Sequence, residues 1–327
     1  MTDSRPALTR RGLLAAGGAA IVGVVGGCAG PTSSGAVSSA SATASASAAG
    51  SPGPAASPEP IPFYGFHQAG VETPPALLQT FIGVDLIDPT TETADAALRL
   101  VSDDAARLTQ GAPALGDTEP ELAAHTDGLT VTVGIGRPMF ERTGKGAQIP
   151  AELTPMPAFS TDRLDDAWGQ TDLLLQVGSN DPVTLAHTVR MLTKDLSTLG
   201  RVRWMQAGFG SPVPAVDGSP AGRNLMGQVD GIVNPVAGTA DFEDVVWIPD
   251  GPAAVAGGTI LVLRRIRLLL DTWDSLDRLT QETVMGRQTA NGAPIGGTSV
   301  TDPIDFDATD AHGLPVIAPD AHVRVAH

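Results

Sequence analysis

Leu173-Leu174-Leu175-Gln176-Val177-Gly178 is a short apolar run that ends at a glycine and is followed closely by Asp181-Pro182. A run of this length and composition, bounded by turn residues, predicts a strand that lies in a core. Pro182 suits the first turn of a helix, with Asn180 or Asp181 as its cap. The helical spacing then continues through Leu185, Val189, Leu192 and Leu196. This stretch therefore predicts a strand that leads directly into an amphipathic helix.

The same kinds of segment occur on both sides of this unit. Residues 81–87 and 129–136 have the composition of strands, residues 93–108 have helical spacing, and residues 202–208 predict a fourth strand. The resulting order is β-α-β-β-α-β, which is the ferredoxin-like arrangement of an antiparallel sheet backed by two helices. We therefore predict an α+β protein whose first ferredoxin-like module occupies residues 61–212.

A second, less complete set of elements follows in residues 213–327. Residues 245–248 and 258–263 predict strands, and residues 266–270 lead into a helix through Trp273, Leu276 and Leu279. No closing pair of strands can be recognised before the last residue. The region is therefore expected to be a second ferredoxin-like module that is incomplete.

Arg264, Arg265 and Arg267 form a dense basic cluster in an otherwise acidic chain. Such arginines form surface ion pairs, or they meet buried carboxylates or ligand anions. The sequence leaves both interpretations open.

The N-terminus predicts export. Thr9-Arg10-Arg11-Gly12-Leu13-Leu14 opens an apolar segment of about a dozen residues, which is too short to span a bilayer. The paired arginines resemble a twin-arginine signal, and Val25-Gly26-Gly27-Cys28 resembles a bacterial lipobox with Cys28 as the acylated residue. Alternatively, the arginines form an ordinary basic region and Cys28 is incidental.

We predict a lipoprotein-type signal at residues 1–28 and a disordered tether of Ser, Ala and Pro at residues 29–60. The protein would then lie outside the cytoplasm, attached to a membrane only through its lipid.

Charge and cysteine content exclude several classes of function. The formal net charge is −16 at pH 7, and loss of the signal would remove three arginines and one aspartate, so that the charge becomes more negative. Such a body repels nucleic acid and anionic lipid headgroups.

Cys28 is the only cysteine. Disulfides, cysteine catalysis, thiolate haem ligation and cysteine zinc sites are therefore excluded.

One carboxylate has a setting suited to proton transfer. In Arg223-Asn224-Leu225-Met226-Gly227-Gln228-Val229-Asp230-Gly231, a single acid follows an apolar run and lies between two glycines. Gly227 and Gly231 can adopt positive φ and allow a ligand to approach the backbone, while Leu225, Met226 and Val229 would shield the acid from water. The alternative is a strand that ends in an Asp-Gly turn. Spacing alone favours the turn.

Seven blocks in order resemble the dye-decolourising peroxidase family, close to the deferrochelatase/peroxidase group of bacterial iron-uptake systems. The resemblance covers residues 61–327. Its blocks are the segment Pro62 to Pro74, Arg203-Trp204 to Gly210, Arg223-Asn224 to Gly231, Leu263-Arg264-Arg265-Ile266-Arg267, Gly286-Arg287, Gly292-Ala293-Pro294-Ile295-Gly296, and Asp320-Ala321-His322-Val323-Arg324.

The resemblance implies two ferredoxin-like modules that form a dimeric α+β barrel-like domain, with haem b in the C-terminal module. Asp230 would be the distal catalytic acid, and His322 the proximal ligand to the iron. Gly227 and Gly231 would line the cofactor, and Arg287 would pair with a haem propionate. The implied partners are hydrogen peroxide, small-molecule electron donors such as phenols, dyes or ferrous iron, iron-uptake transporter subunits and further copies of the chain. Nucleic acid is not among them.

The sequence also departs from the family pattern. Gln228-Val229 and Ile232 stand where the family usually has Phe-Lys and Thr. The family's distal arginine lies beyond the proximal histidine, on closing strands, whereas this sequence ends at His327. We therefore expect a C-terminally truncated member. The functional alternatives are a haem-capture or deferrochelatase module without significant peroxidase activity, or an inactive fragment.

Overall fold

The structure is a computed structural model that describes residues 59–210, 221–249 and 255–326. All of these residues belong to one compact unit, Ala55–His327. The predicted signal and nearly all of the predicted tether lie outside the described residues. Among the helices in the described ranges, none has both the length and the apolar character needed to cross a bilayer.

The first module has the predicted ferredoxin-like topology. Its strands are β1 (Leu78–Leu86), β2 (Thr130–Ile135), β3 (Leu173–Ser179) and β4 (Gly200–Phe209), and its main helices are α1 (Thr91–Leu108) and α3 (Pro182–Leu196). A short helix, α2 (Arg137–Arg142), follows β2. The strands form one antiparallel sheet in the order β2-β3-β1-β4. The βαββαβ prediction for this half of the chain is confirmed.

Capping and burial explain why these segments form. The Thr90 side chain accepts a hydrogen bond from the Thr93 backbone N–H at the start of α1, and the Asp181 side chain accepts one from Thr184 at the start of α3. Asp181, rather than Asn180, is therefore the cap. The apolar faces of both helices pack on one face of the sheet. The shared core includes Ile82, Val84, Leu86, Ala97, Val101, Leu108, Val131, Leu173, Leu175, Val177, Met191, Leu192 and Leu196.

A side chain covers the free edge of β2. The Gln68 amide donates to the Val133 carbonyl at 3.0 Å and accepts from the Val133 N–H at 2.9 Å, as a neighbouring strand would. The Thr132 hydroxyl adds a bond to the Ala69 carbonyl. Because an open strand edge can pair with other chains, this contact protects the first module from edge-to-edge association.

The C-terminal part contains a hairpin and short helices. The hairpin consists of β5 (Gly222–Arg223) and β6 (Val229–Asp230), and the helices are α4 (Ala240–Val246), α5 (Leu270–Trp273), α6 (Arg278–Met285) and α7 (His322–Val325). Among the described residues of this part, the hairpin is the only sheet. The described residues of this part therefore contain fewer strands than the sequence suggested, and an incomplete second ferredoxin-like module stays a prediction.

The strand predicted at residues 245–248 is wrong, because α4 extends to Val246. The Thr239 hydroxyl accepts a hydrogen bond from the Phe242 N–H, and Asp241 and Glu243 lie in the first turn, where negative charge stabilises a helix. Phe242 and Trp247 are buried. The cap and these two anchors outweigh the strand preference of the β-branched residues.

The strand predicted at residues 258–263 is also wrong. Residues 259–268 form neither helix nor sheet, and their backbone groups have no hydrogen-bond partner among the described residues. An apolar run forms a strand only beside another strand, and the described residues supply none here. The helix predicted through Trp273 and Leu279 is two short helices, α5 and α6, because Asp277 caps a new helix.

The arginine cluster attaches this irregular segment to the first module. Arg264 forms an ion pair of 2.6 Å with Asp162, whose side chain is largely buried. The Arg265 guanidinium lies 3.4 Å from the centre of the Trp168 ring and donates to the Gln206 side chain at 2.9 Å. Two members of the cluster therefore bind protein groups, and Arg267 is exposed.

A buried carboxyl pair joins α1 to α3. Asp104 is fully buried, and its Oδ1 accepts the Leu115 N–H at 3.1 Å. Burial, together with the facing Asp195 carboxylate, raises the pKa of Asp104 to about 6, although the Leu115 bond opposes this shift. Oδ2 of each residue is buried without a hydrogen-bond partner in the described part of the chain. A proton on Asp104 would replace the repulsion between the two carboxylates with a hydrogen bond between the side chains.

Stability should therefore fall as the pH rises from about 4 to about 6. The folded chain binds this proton more tightly than the unfolded chain, so its contribution is complete below pH 4 and is lost above pH 6, amounting to at most about 3 kcal/mol. Asp104→Asn retains the acceptor for Leu115 and supplies a permanent donor. Urea unfolding should show that this variant is more stable than the wild type at pH 7.5 and lacks this pH dependence. Asp95→Asn, an exposed change on α1, is the control, and an unchanged pH slope in Asp104→Asn would refute the assignment.

Candidate active site

Asp230 lies at the end of the β5–β6 hairpin. Gly222 pairs with Asp230 and Arg223 with Val229, so residues 224–228 form the connecting loop. Gly227 and Gly231 have φ of 79° and 87°, in the left-handed region that favours glycine. The positive φ predicted for both glycines is confirmed, and the loop turns sharply immediately before and after the short strand that carries the acid.

The acid is more open than the sequence suggested. Asp230 is exposed, and its one side-chain hydrogen-bond partner among the described residues is Asn224, whose Nδ2 donates to Oδ2 at 3.2 Å. Val229 is buried, but Leu225 is 63% exposed and points away from the core. The expectation that Leu225, Met226 and Val229 together shield the acid is therefore wrong, because alternation along the short strand buries Val229 and exposes Asp230.

Arg223 attaches the hairpin to residues 286–297, which we call the bracket segment. Its guanidinium donates to the carbonyl oxygens of Gly227 and Thr289 at 2.7 Å and of Ala290 at 3.0 Å. The Gln228 amide adds a bond of 3.1 Å to the Thr289 hydroxyl. Gly292 lies directly against Val229, where a Cβ atom would come within 2.9 Å of the valine side chain. The hairpin and the bracket segment therefore form one packed unit.

The opposite end of the bracket segment supports the helix that carries His322. Gly286 ends α6 with φ 79°, and its N–H donates to the Glu282 carbonyl at 2.7 Å. A Cβ at Gly286 would clash with the Val323 side chain, so α7 sits directly on this glycine. The bracket segment consequently links the hairpin of Asp230 to the helix of His322.

His322 is exposed at the first position of α7. Its imidazole has no hydrogen-bond partner in the described ranges, so no described residue occupies either ring nitrogen. Arg324 anchors the helix, because its guanidinium donates to the carbonyl oxygens of Phe306 and Ile317 at 2.6 and 3.0 Å.

Arg287 is partly buried and is directed toward the protein. Its Nη1 donates to the Gly292 carbonyl at 2.6 Å, and burial lowers the pKa of its guanidinium. The resemblance to the family predicted that the Arg287 side chain pairs with a haem propionate. In this structure the side chain shapes the bracket segment, and pairing with a propionate stays a prediction.

The remaining histidines have other surroundings. His67 stacks on Trp247 with ring centres 3.6 Å apart, and its Nδ1 lies 2.9 Å from the Gly257 carbonyl. His187 is buried in α3 and bonds to Asp117 at 2.9 Å, as expected for a core histidine. His125 and His312 are exposed, and His327 lies outside the described residues.

The chemistry of these residues fits a haem. A porphyrin needs an accessible imidazole below the iron, a polar group above it and apolar contacts around the ring. His322 and Asp230 meet the first two needs, since both are exposed and lightly bonded. Large apolar side chains are exposed in the same part of the chain, including Leu225, Val233, Val236, Ile266 and Leu269.

A separate groove of about 680 Å³ lies over α1 and is wide open to solvent. Its lining comes from Tyr64, Leu115 and α1, and it includes no residue of the hairpin, the bracket segment or α7. It is therefore unrelated to the candidate site.

The sequence analysis did not predict a structural role for three residues that hold the candidate site together. Arg223 and Asn224 belonged to the motif that contains Asp230, and Arg324 lay beside His322, but their hydrogen bonds depend on loop geometry. Their positions next to the two candidate functional residues were the available signal.

Comparisons with known proteins agree with this arrangement. The family models described as Dyp-type peroxidase, N-terminal and C-terminal, match residues 68–210 and 221–327. A dye-decolorizing peroxidase from Thermobifida fusca is 36% identical over 79% of this chain and 63% of its own length. The deferrochelatase of Escherichia coli K12 is 34% identical over 81% of this chain and 66% of its own length. The chain thus spans about two thirds of the length of these relatives.

Solved structures give the same result. A DyP-type peroxidase from Cellulomonas bogoriensis is 44% identical, with a TM-score of 0.76 over 82% of this chain and 74% of its own. The protein DtpA from Streptomyces lividans, solved in a ferric form, is 38% identical with a TM-score of 0.75 at the same coverage. Both family models, together covering most of the chain, and this ferredoxin-like α+β fold show that the chain belongs to the DyP-type peroxidase family.

Proposed function

We propose that this chain is a haem b peroxidase that reduces hydrogen peroxide with electrons from small organic donors or ferrous iron. One observation carries the proposal: the bracket segment connects an exposed carboxylate, Asp230, to an exposed imidazole, His322, through direct packing and hydrogen bonds. Membership of the family supplies the expectation of haem, and these two side chains are suited to opposite faces of it.

The residues divide the chemistry as follows. Haem bound at this site supplies an iron centre that accepts peroxide and exchanges electrons with donors. His322 would hold that iron through a ring nitrogen. Asp230 would take a proton from bound peroxide through Oδ1 and return it to the oxygen that leaves, so that the leaving group is water. Two electrons from donors and two protons complete the reduction of one peroxide to two water molecules.

Asp230→Asn should abolish most turnover and preserve haem binding. The amide cannot accept the proton, so kcat/KM for hydrogen peroxide should fall about 100-fold to 10,000-fold. Peroxide-dependent dye oxidation by the haem-loaded full chain measures this, with occupancy matched by the Soret band. Asp244→Asn, an exposed change on α4, is the control. Unchanged turnover in Asp230→Asn would remove the role given to Asp230.

His322→Ala should lose tight haem binding, because the ligand to the iron is missing. Titration of the full chain with haemin should show a weakened or shifted Soret band that added imidazole restores. His312→Ala, an exposed histidine in the preceding loop, should titrate like the wild type. Wild-type binding by His322→Ala would assign the ligand elsewhere. A chain that forms no Soret band with haemin in any variant would favour the inactive fragment.

The named deferrochelatase relatives favour a second function, haem capture with release of iron and without significant peroxidase activity. Its product would be the iron-free porphyrin, which is fluorescent. Porphyrin fluorescence without peroxide-dependent oxidation by the wild type would favour this alternative. The proposal includes association with iron-uptake transporter subunits. It also includes association with further copies of the chain, which sedimentation of the haem-loaded chain tests.

We also propose export by the twin-arginine route, with lipid attachment at Cys28, based on the sequence of residues 9–28. Replacement of Arg10 and Arg11 by lysine should retain the precursor in the cytoplasm, whereas Arg5→Lys should not. Cys28→Ala should release the exported protein from membranes, which cell fractionation and mass spectrometry of the N-terminus would detect. Export of the double-lysine variant would refute the route.

A further inference from the structure

Asn224 holds the hairpin loop together and also contacts the candidate acid. Its Oδ1 accepts the backbone N–H groups of Met226 and Gln228 at 3.0 and 3.2 Å. Its Nδ2 donates to Asp230 Oδ2 at 3.2 Å. One planar amide thus uses its two ends for different tasks: the oxygen closes the loop, and the nitrogen faces the carboxylate.

The backbone of Asn224 fixes the position of this amide. Its N–H donates to the Gln228 carbonyl, and its carbonyl accepts from the Gly227 N–H, both at 3.0 Å. Since the side-chain oxygen is held by two further N–H groups, the nitrogen has little freedom to turn away from Asp230. Aspartate in this position would lack the donor, and serine would offer a single oxygen in place of the two-ended amide.

The exposed setting of Asp230 makes this contact important. An exposed carboxylate samples several rotamers unless a fixed partner selects one. Asn224 is its one side-chain hydrogen-bond partner among the described residues. The bond occupies Oδ2 and leaves Oδ1 for a ligand.

We propose that Asn224 is a positioning residue, which orients the Asp230 carboxylate so that Oδ1 meets the peroxide. This inference rests on the proposed function, because it assigns a purpose to the orientation of the catalytic acid. It predicts that the donor end of the amide matters for the peroxide step, separately from the acceptor end that closes the loop.

Asn224→Asp separates the two ends. The carboxylate keeps an oxygen for Met226 and Gln228 and therefore retains the loop, but it replaces the donor with a negative oxygen that repels Asp230. We expect kcat/KM for peroxide to fall about 10-fold to 100-fold, with the donor KM and the haem titration unchanged. In the haem-free full chain, hydrogen exchange at Met226 and Gln228 should stay slow. Gln148→Glu, an exposed amide-to-carboxylate change in the first module, should have no effect on any of these.

Two further variants make the result decisive. Asn224→Ala should lose the slow exchange and the peroxide activity together. In an Asp230→Asn background, Asn224→Asp should cause no additional loss, because no catalytic carboxylate remains to be oriented. Wild-type kcat/KM in Asn224→Asp, or an equal loss in both backgrounds, would overturn the inference. If Asp230→Asn itself remains active, the proposed function fails instead, so the two failures are distinguishable.

Discussion

The three hydrogen bonds from Arg223 to carbonyl oxygens join the two parts of the candidate site. One bond reaches Gly227 in the loop before Asp230, and the other two reach Thr289 and Ala290 in the bracket segment. Hydrogen bonds from a charged donor are stronger than neutral ones, and three of them on one planar guanidinium also fix direction. Together with the Gln228–Thr289 bond and the contact of Gly292 with Val229, these bonds hold the hairpin of Asp230 on the segment whose Gly286 contacts α7.

The two halves of the chain are stabilised differently. The first module has a continuous core between one sheet and two helices, with capped helix ends and a protected edge at β2. The C-terminal part has few buried apolar residues and relies on arginine contacts with carbonyl oxygens, at Arg223, Arg287 and Arg324. Such contacts give precise geometry but little apolar burial, so the site is expected to be less stable than the sheet that precedes it.

The sequence predicted the first module almost completely, because strand composition, helical spacing and the Asp181-Pro182 start all agree there. It failed at residues 245–248, where the Thr239 cap and the buried Phe242 and Trp247 favour a helix. It also failed at residues 258–263, where strand formation depends on a neighbouring strand rather than on local composition. The site was predicted in part: the positive φ of Gly227 and Gly231 followed from their residue type. The exposure of Asp230 and the hydrogen bonds of Arg223 and Asn224 depend on how loops fold onto one another, which spacing does not encode.

The central claim is that one haem lies between His322 and Asp230. Anomalous diffraction at the iron edge, from crystals of the haemin-loaded full chain, tests it most directly. The account predicts one iron peak bonded to a ring nitrogen of His322, with the Asp230 carboxylate facing the opposite side of the porphyrin and bonded to Asn224. An iron peak on another side chain, or a porphyrin whose open face is remote from Asp230, would contradict it.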